Sequence, residues 1–303
     1  AEAQTPKRCG TFRLRSHVPP VHFDPHATLA FSTMLPLSFV SSRLVKIKAG
    51  SAVVPGTQPV EADLAESWER QGDVVYVFKL KKGVRFHPKP PVNGRELTAE
   101  DVKFTYERYL APTNPNRGAL EVIDKIDAVD KYTVKFTLKE PFAWFVDALA
   151  STSTWIVAKE SVEKLGDLKK PESVVGTGPW MLERYDPGTR LTFERNPNYF
   201  APGLPYVDNV EITIDTDPAS GFAAFLAGKY DFGPEYGMVV RRSDLDVAKQ
   251  RKPNLQTRDY TVVFGGITWV KLDQEPFKDI RVRRALAMAS SWREILETSA
   301  WAL

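Results

Sequence analysis

Segments in which every second residue is apolar alternate along the 303-residue chain with segments in which apolar residues recur at helical spacing. This feature most constrains the fold that the chain can adopt. From Tyr132 to Leu138 apolar and polar residues alternate strictly, which predicts a β-strand with one buried face. Similar segments at Thr11 to Arg15, Val74 to Leu80 and Val210 to Ile214 predict further strands. Because helices and hairpins interrupt them without a regular strand–helix–strand rhythm, the pattern favours a mixed α/β (α+β) fold over a doubly wound sheet.

Helix start and stop signals lie between the predicted strands. Thr98 followed three residues later by Asp101 has the form of a capping box, which predicts that a helix begins there. Asp217 before a proline predicts the start of a second helix, and Gly228 predicts its end. A third helix is predicted from about Asp279, because apolar residues then recur at helical spacing.

Composition excludes several classes of protein. The chain is 43% hydrophobic and 26% charged, as is ordinary for a globular protein, and its net charge of +3 is spread without a basic stripe for nucleic acid. No apolar run approaches the ~20 residues of a transmembrane helix. The single cysteine, Cys9, excludes an intrachain disulfide and a zinc site built on cysteine pairs. The polar start from Ala1 to Lys7 fits a mature terminus left by signal-peptide removal, and also a trimmed chain.

Seven segments, in a fixed order and spacing, carry a family resemblance over nearly the whole chain. They are Phe23-Asp24-Pro25, Ala62 to Trp68, Tyr76 to His87, Leu97 to Phe104, Val175 to Trp180, Glu194 to Phe200 and Pro276 to Leu286. Each alone is weakly diagnostic. Together they resemble the oligopeptide-, dipeptide- and nickel-binding family of extracytoplasmic solute-binding proteins of ABC importers.

The resemblance implies a periplasmic-binding-protein-like clamshell whose two lobes close on a ligand by hinge bending. On that template, residues 1–40 and 170–258 form the first lobe and residues 41–169 form an accessory subdomain inserted in it. Residues 259–303 begin a second lobe, most of which is missing from a chain that stops at Leu303. We therefore expect a fragment, either a shortened chain or one piece of a longer one, that binds solute weakly or not at all by itself.

The function implied by the resemblance is capture of peptides or similar small solutes outside the cytoplasmic membrane, in the periplasm or its equivalent. The expected partners are ABC permease subunits, with no nucleic acid and no cofactor, and the complete protein is expected to be a monomer. Two alternatives stay open: a receptor for nickel, haem or another non-peptide solute, and a non-transport interaction protein that reuses the lobe. An enzyme is disfavoured, because the sequence contains no GxSxG elbow and no carboxylates in visibly different environments.

Candidate ligand contacts come from alignment with the family. Peptides in such proteins are held largely by main-chain hydrogen bonds of β-strand type, so side-chain identity says little. The alignment implies that the loop Pro19-Pro20-Val21 and the crossover Val263-Phe264-Gly265-Gly266-Ile267, in a strand predicted from Leu255 to Gly266, border the cleft. The two glycines either admit close approach of a ligand or serve hinge geometry alone. Trp155 and Trp269 either form an apolar wall of a side-chain pocket or are core residues.

Three histidines, His17, His22 and His26, lie within ten residues of one another. Neutral imidazole is a common ligand of transition metals, so the cluster carries a metal hypothesis. The alternative is that they are loop histidines hydrogen-bonded to the backbone. We favour this alternative, and expect no metal, because no cysteine or HExxH motif accompanies the cluster.

A glycine-rich segment, Gly176-Thr177-Gly178-Pro179, superficially suggests phosphate binding. It lacks the GK[ST] ending of a P-loop and does not open a predicted helix. We expect instead that the two glycines permit a tight turn where the chain re-enters the first lobe.

Overall fold

The computed structural model describes residues 7–50, 52–54, 57–232, 242–257 and 270–291. The chain divides into two compact units: Ala1–Val53 with Thr57–Tyr236, and Val54–Gly56 with Gly237–Leu303. The boundaries of lobes and accessory subdomain inferred from the sequence stay a prediction. No helix among the described residues is long and apolar enough to cross a membrane.

Strands and helices are mixed along the first unit, whereas the described elements of the second unit are helices. The strands are β1 (Thr11–Ser16), β2 (Val45–Ile47), β3 (Val60–Ala62), β4 (Ala65–Gln71), β5 (Val75–Leu80), β6 (Ile123–Asp130), β7 (Thr133–Leu138), β8 (Trp180–Asp186), β9 (Arg190–Arg195) and β10 (Asn209–Ile214). The helices are α1 (Phe31–Val40), α2 (Ala99–Tyr109), α3 (Phe145–Leu149), α4 (Lys159–Leu165), α5 (Pro218–Leu226), α6 (Arg242–Arg251) and α7 (Ile280–Ala289).

The first sheet of this unit has the strand order β1-β10-β9-β8. β1 runs parallel to β10 and places Leu14 beside Ile212, while the other pairs are antiparallel. Leu14, Ile212 and Phe193 are buried in one apolar core together with α1 and Trp155. The strands predicted at Thr11 and Val210 are therefore confirmed, and the sequence pattern missed α1.

The second sheet has the order β4-β5-β7-β6 and is antiparallel throughout. The alternation predicted for β7 is confirmed at Val134, Phe136 and Leu138, which are buried. It is wrong at Thr133, which is also buried. Its hydroxyl accepts a hydrogen bond from Lys79 Nζ (2.8 Å) and donates one to Asp130 (2.7 Å), so the polar group is satisfied inside. A shorter two-stranded sheet pairs β2 with β3.

The predicted helix signals are confirmed. Thr98 and Asp101 form the capping box of α2, with Thr98 N–H donating to the Asp101 carboxylate at 2.9 Å. The Asp217 carboxylate accepts the Ala219 N–H at the start of α5 (2.9 Å). Asp279 caps α7 through the Arg281 N–H (2.8 Å).

The second unit is described through α6, α7 and the residues beside them. No side chain of α7 is buried. The strand predicted from Leu255 to Gly266 is wrong over residues 255–257, because the Leu255 N–H closes a turn on the Lys252 carbonyl (2.9 Å). From residue 258 the prediction lies outside the described residues.

The glycine-rich segment packs against the end of α1. Neither Gly176 nor Gly178 has a positive φ, so a left-handed conformation is not what requires glycine, and the expected tight turn stays a prediction. An added Cβ at Gly176 would lie 1.9 Å from the Val40 oxygen, and one at Gly178 would lie 2.5 Å from the Val40 carbonyl carbon. The Gly178 N–H donates to the same Val40 oxygen at 2.9 Å. Close backbone approach is what requires glycine here.

Gly178→Ala should therefore lower the free energy of unfolding by about 3 kcal/mol, the upper range for overpacking, because the contacted atoms are backbone and cannot rotate away. Urea unfolding followed by circular dichroism measures this. Gly118→Ala is the matched control, since no atom lies within 4 Å of its added Cβ and its φ is not positive. Equal stability of the two variants would contradict this explanation.

Candidate functional site

The segment between β1 and α1, residues 17–30, contains the loop predicted to border a cleft; we call it the β1–α1 loop. Its first half is open: Val21 is 68% exposed, and Pro19 is exposed as well. Its middle, residues 23–26, is closed, because Phe23, Asp24 and His26 are all buried. The loop therefore combines an anchored base with an accessible edge.

An ion pair forms the base of this loop. Arg108, on α2, donates from both terminal nitrogens to the two carboxylate oxygens of Asp24, with Nη1–Oδ1 at 3.0 Å. Asp24 also accepts the backbone N–H of His26 (3.0 Å). Burial by itself would raise the pKa of Asp24, but the hydrogen bond and charge of Arg108 outweigh it and the pKa is lowered. The carboxylate therefore stays ionised and holds the loop to α2.

His26 extends the same network as a neutral imidazole. Arg108 can only donate, so its Nη1 contact of 2.7 Å makes Nδ1 of His26 the acceptor, and Nε2–H then donates to the Trp155 carbonyl (3.1 Å). Burial and the charge of Arg108 lower the pKa of His26 to about 4. Asn116 Nδ2 adds a hydrogen bond to the His26 carbonyl (3.0 Å).

The surroundings of the three histidines bear on the hypothesis that they bind a metal ion. Both ring nitrogens of His26 are occupied, and Nδ1 of His22 accepts the Asp24 N–H (3.1 Å). His17 is half-buried at the start of the loop. Over the residues described, no group of three or more His, Cys, Asp or Glu side chains is placed to hold a metal ion. Hydrogen bonding with the backbone describes His22 and His26.

The tryptophan and crossover predictions fare differently. Trp155 is 1% exposed within the core beside the first sheet, and the Arg43 guanidinium lies 5.7 Å from its ring centroid. Its ring therefore has no open face for a ligand, and the core alternative holds. Val263, Phe264, Gly265, Gly266, Ile267 and Trp269 lie outside the described residues.

A cavity beneath the β1–α1 loop is lined by Phe23, Leu37, Ile156, Ser161 and Val174, among others. Its volume is about 20 Å³, enough for about one water molecule. A peptide does not fit there. Any contact of this loop with a solute has to come from its exposed residues, which are those of the open edge, residues 18–21, and Leu29.

A second polar network, which the sequence did not reveal, links His87 and Asn196 to the glycine-rich segment. His87 Nδ1 accepts the Gly176 N–H (3.2 Å), and its Nε2–H donates to the Gly178 carbonyl (3.0 Å). Asn196 Nδ2 donates to the same carbonyl (2.9 Å). Burial lowers the pKa of His87 to about 4. The only sequence signal was that His87, Gly176 and Asn196 all lie in the segments that carry the family resemblance.

Comparison with known proteins defines the class of this chain, the bacterial extracellular solute-binding proteins. Residues 59–298 match the model of "Bacterial extracellular solute-binding proteins, family 5 Middle". The chain belongs to this family.

Individual relatives agree with this assignment. Di/tripeptide-binding protein 3 of Pseudomonas aeruginosa is 32% identical, over 92% of this chain and 54% of the relative. Heme-binding protein A of Haemophilus influenzae is 28% identical, over 85% of this chain and 48% of the relative. The oligopeptide-binding protein AppA from Bacillus subtilis, solved in complex with a nonapeptide, matches with a TM-score of 0.81 and 28% identity, over 97% of this chain and 56% of AppA. The chain thus spans about half the length of the curated relatives it matches.

The two neutral histidines predict a pH dependence of stability. Their pKa values rise from about 4 when folded to about 6.5 when unfolded, so unfolding takes up protons between these values. The free energy of unfolding should have its full value above pH 6.5 and should decrease toward pH 4, by about 1.4 kcal/mol per pH unit for each histidine.

Urea unfolding at intervals from about pH 4.5 to 6.5 measures this slope, and His87→Gln should reduce it by about 1.4 kcal/mol per pH unit. Titration of the His87 imidazole by NMR gives an independent check, with a midpoint expected at about 4. An unchanged slope in the variant, with a midpoint near 6.5 in the parent, would rule out the neutral buried imidazole.

Proposed function

We propose that this chain belongs to the substrate-binding component of an ABC importer, which captures peptides or similar small solutes outside the cytoplasmic membrane. The observation that carries the proposal is the family match over residues 59–298. It is supported by the 32% identity to a di/tripeptide-binding protein and by the similarity to AppA in its nonapeptide complex. A haem receptor is a relative too, but two of these three relatives bind peptides, so peptides are the preferred class.

The other parts of the proposal follow from the family. Its members named above are binding proteins, so the chain is proposed to bind its solute without chemical change. The partner in the membrane is an ABC permease. Residues 1–40 and 170–258 are proposed as the first lobe, residues 41–169 as its accessory subdomain, and residues 259–303 as the start of a second lobe.

The open edge of the β1–α1 loop is the proposed solute contact. Among the described residues, none hydrogen-bonds the Val21 N–H or the carbonyl oxygens of Pro19 and Pro20. These groups are available to pair with an extended peptide in the manner of a β-strand. The anchored base limits the motion of the edge, so less conformational entropy is lost on binding. Val263 to Ile267 and Trp269 stay proposed contacts on alignment alone.

Val21→Pro tests this contact, because it removes one main-chain donor. We expect di- and tripeptide affinity of the intact natural protein to fall about tenfold, the effect of one lost hydrogen bond. Isothermal titration calorimetry measures it. Val21→Ala, which keeps the N–H, is the matched control and should change the affinity for trialanine, which has no large apolar side chain, much less. Peptide binding unaffected by Val21→Pro, with the melting temperature unchanged, would remove this loop from the site.

A further inference from the structure

The open edge of the β1–α1 loop and the residues just before α1 present apolar side chains to solvent. Val18, Val21 and Leu29 are 37%, 68% and 62% exposed. Isolated exposed apolar residues are common, but several close together mark contact surfaces. We call these three exposed residues, Val18, Val21 and Leu29, the apolar edge.

Hydrogen bonds bring the two ends of this loop together. The Thr33 hydroxyl, in the first turn of α1, donates to the His22 carbonyl (2.8 Å). The Thr33 and Met34 N–H groups both donate to the Ala30 carbonyl, at 2.9 and 3.0 Å. Thr33 therefore contacts the backbone of both His22 and Ala30, the residues that follow the exposed Val21 and Leu29.

The apolar edge offers no charged group of its own. Between Val18 and Phe31 the only carboxylate is Asp24, which is buried and paired with Arg108. His26 is buried, with both ring nitrogens occupied. The nearest cation on β1, Arg15, is buried with its Nε 3.9 Å from Asp215. A charged side chain placed over this surface would lose hydration and gain no ion pair from Asp24, His26 or Arg15.

We propose that the apolar edge receives an apolar side chain of the bound peptide, so that the protein selects peptides with a residue such as Leu or Phe at that position. The Val21 N–H, which no described residue hydrogen-bonds, supports a peptide as the occupant, since successive side chains of a main chain paired there would point to opposite faces and one of them could cover the exposed apolar residues. This inference rests on the proposed peptide-binding function and adds a specificity to it.

The experiment compares tripeptides by calorimetry with the intact natural protein. Trialanine is the reference, and Leu, Lys and Asp replace alanine at each of the three positions in turn. At one position Leu should bind about tenfold more tightly than Ala, as burial of its extra carbon atoms predicts. Lys and Asp should bind more weakly than Ala at that position.

Two variants assign the preference to the apolar edge. Leu29→Ser should reduce the Leu-over-Ala preference to about threefold or less, since the contact area is lost while main-chain pairing remains. Val129→Ser is the matched control, because Val129 is 58% exposed on β6 of the other sheet. It should leave the preference unchanged.

The outcomes separate this inference from the proposed function. Tight binding of all the tripeptides without preference for Leu, or a preference that Leu29→Ser leaves intact, overturns the apolar edge as a specificity site and leaves peptide binding standing. Failure of every tripeptide, and of longer peptides, to bind the intact protein overturns both. A Leu preference that is lost in Leu29→Ser and kept in Val129→Ser establishes the inference.

Discussion

The ion pair between Asp24 and Arg108 is the interaction on which the arrangement of the candidate site depends. A buried carboxylate is costly unless its charge is matched and its oxygens are hydrogen-bonded. Arg108 meets both needs with a bidentate hydrogen bond, which fixes the distance and the orientation of the guanidinium relative to the carboxylate. Because Asp24 belongs to the loop after β1 and Arg108 to α2, one contact ties the first sheet to the helix that packs on the second sheet. The edge at residues 18–21 is exposed because the residues after it are held inside.

A second hydrogen-bond network, around His87, stabilises the same unit. His87 bridges Gly176 and Gly178, and these glycines lie against the backbone at Val40, the last residue of α1. The helix that follows the β1–α1 loop is therefore held at its far end, while the loop is held at its near end. Each network contains a histidine that burial keeps neutral. His26 accepts a hydrogen bond from Arg108, and His87 accepts one from the Gly176 N–H. Each also donates to a backbone carbonyl, so neither adds a buried charge.

The sequence predicted the elements that carry a local signal. Strict alternation located β7, and the pairing of Thr98 with Asp101 located the start of α2. The helix α1 was missed because it is apolar on nearly all sides and has Pro36 in its interior, so it shows no amphipathic period. β4 was missed because most of its side chains are exposed, which leaves no alternation to detect.

The site was less predictable for a related reason. Asp24 and Arg108 are 84 residues apart, and nothing in their local sequences indicates that they meet. The need for glycine at 176 and 178 comes from a neighbouring backbone, which no local pattern records. The loop Pro19-Pro20-Val21 was found through the family alignment rather than through chemistry of its side chains, since main-chain recognition leaves little trace in residue identity.

The most direct test of this account is a double-mutant cycle on the free energy of unfolding, with Asp24→Asn, Arg108→Gln and the double variant. Both single variants should destabilise the protein, because each leaves a buried partner unmatched. The coupling between them should be about 2 kcal/mol, at the lower end for buried pairs since Arg108 is partly exposed. Additive effects, with a coupling below about 0.5 kcal/mol, would show that this pair does not hold the loop.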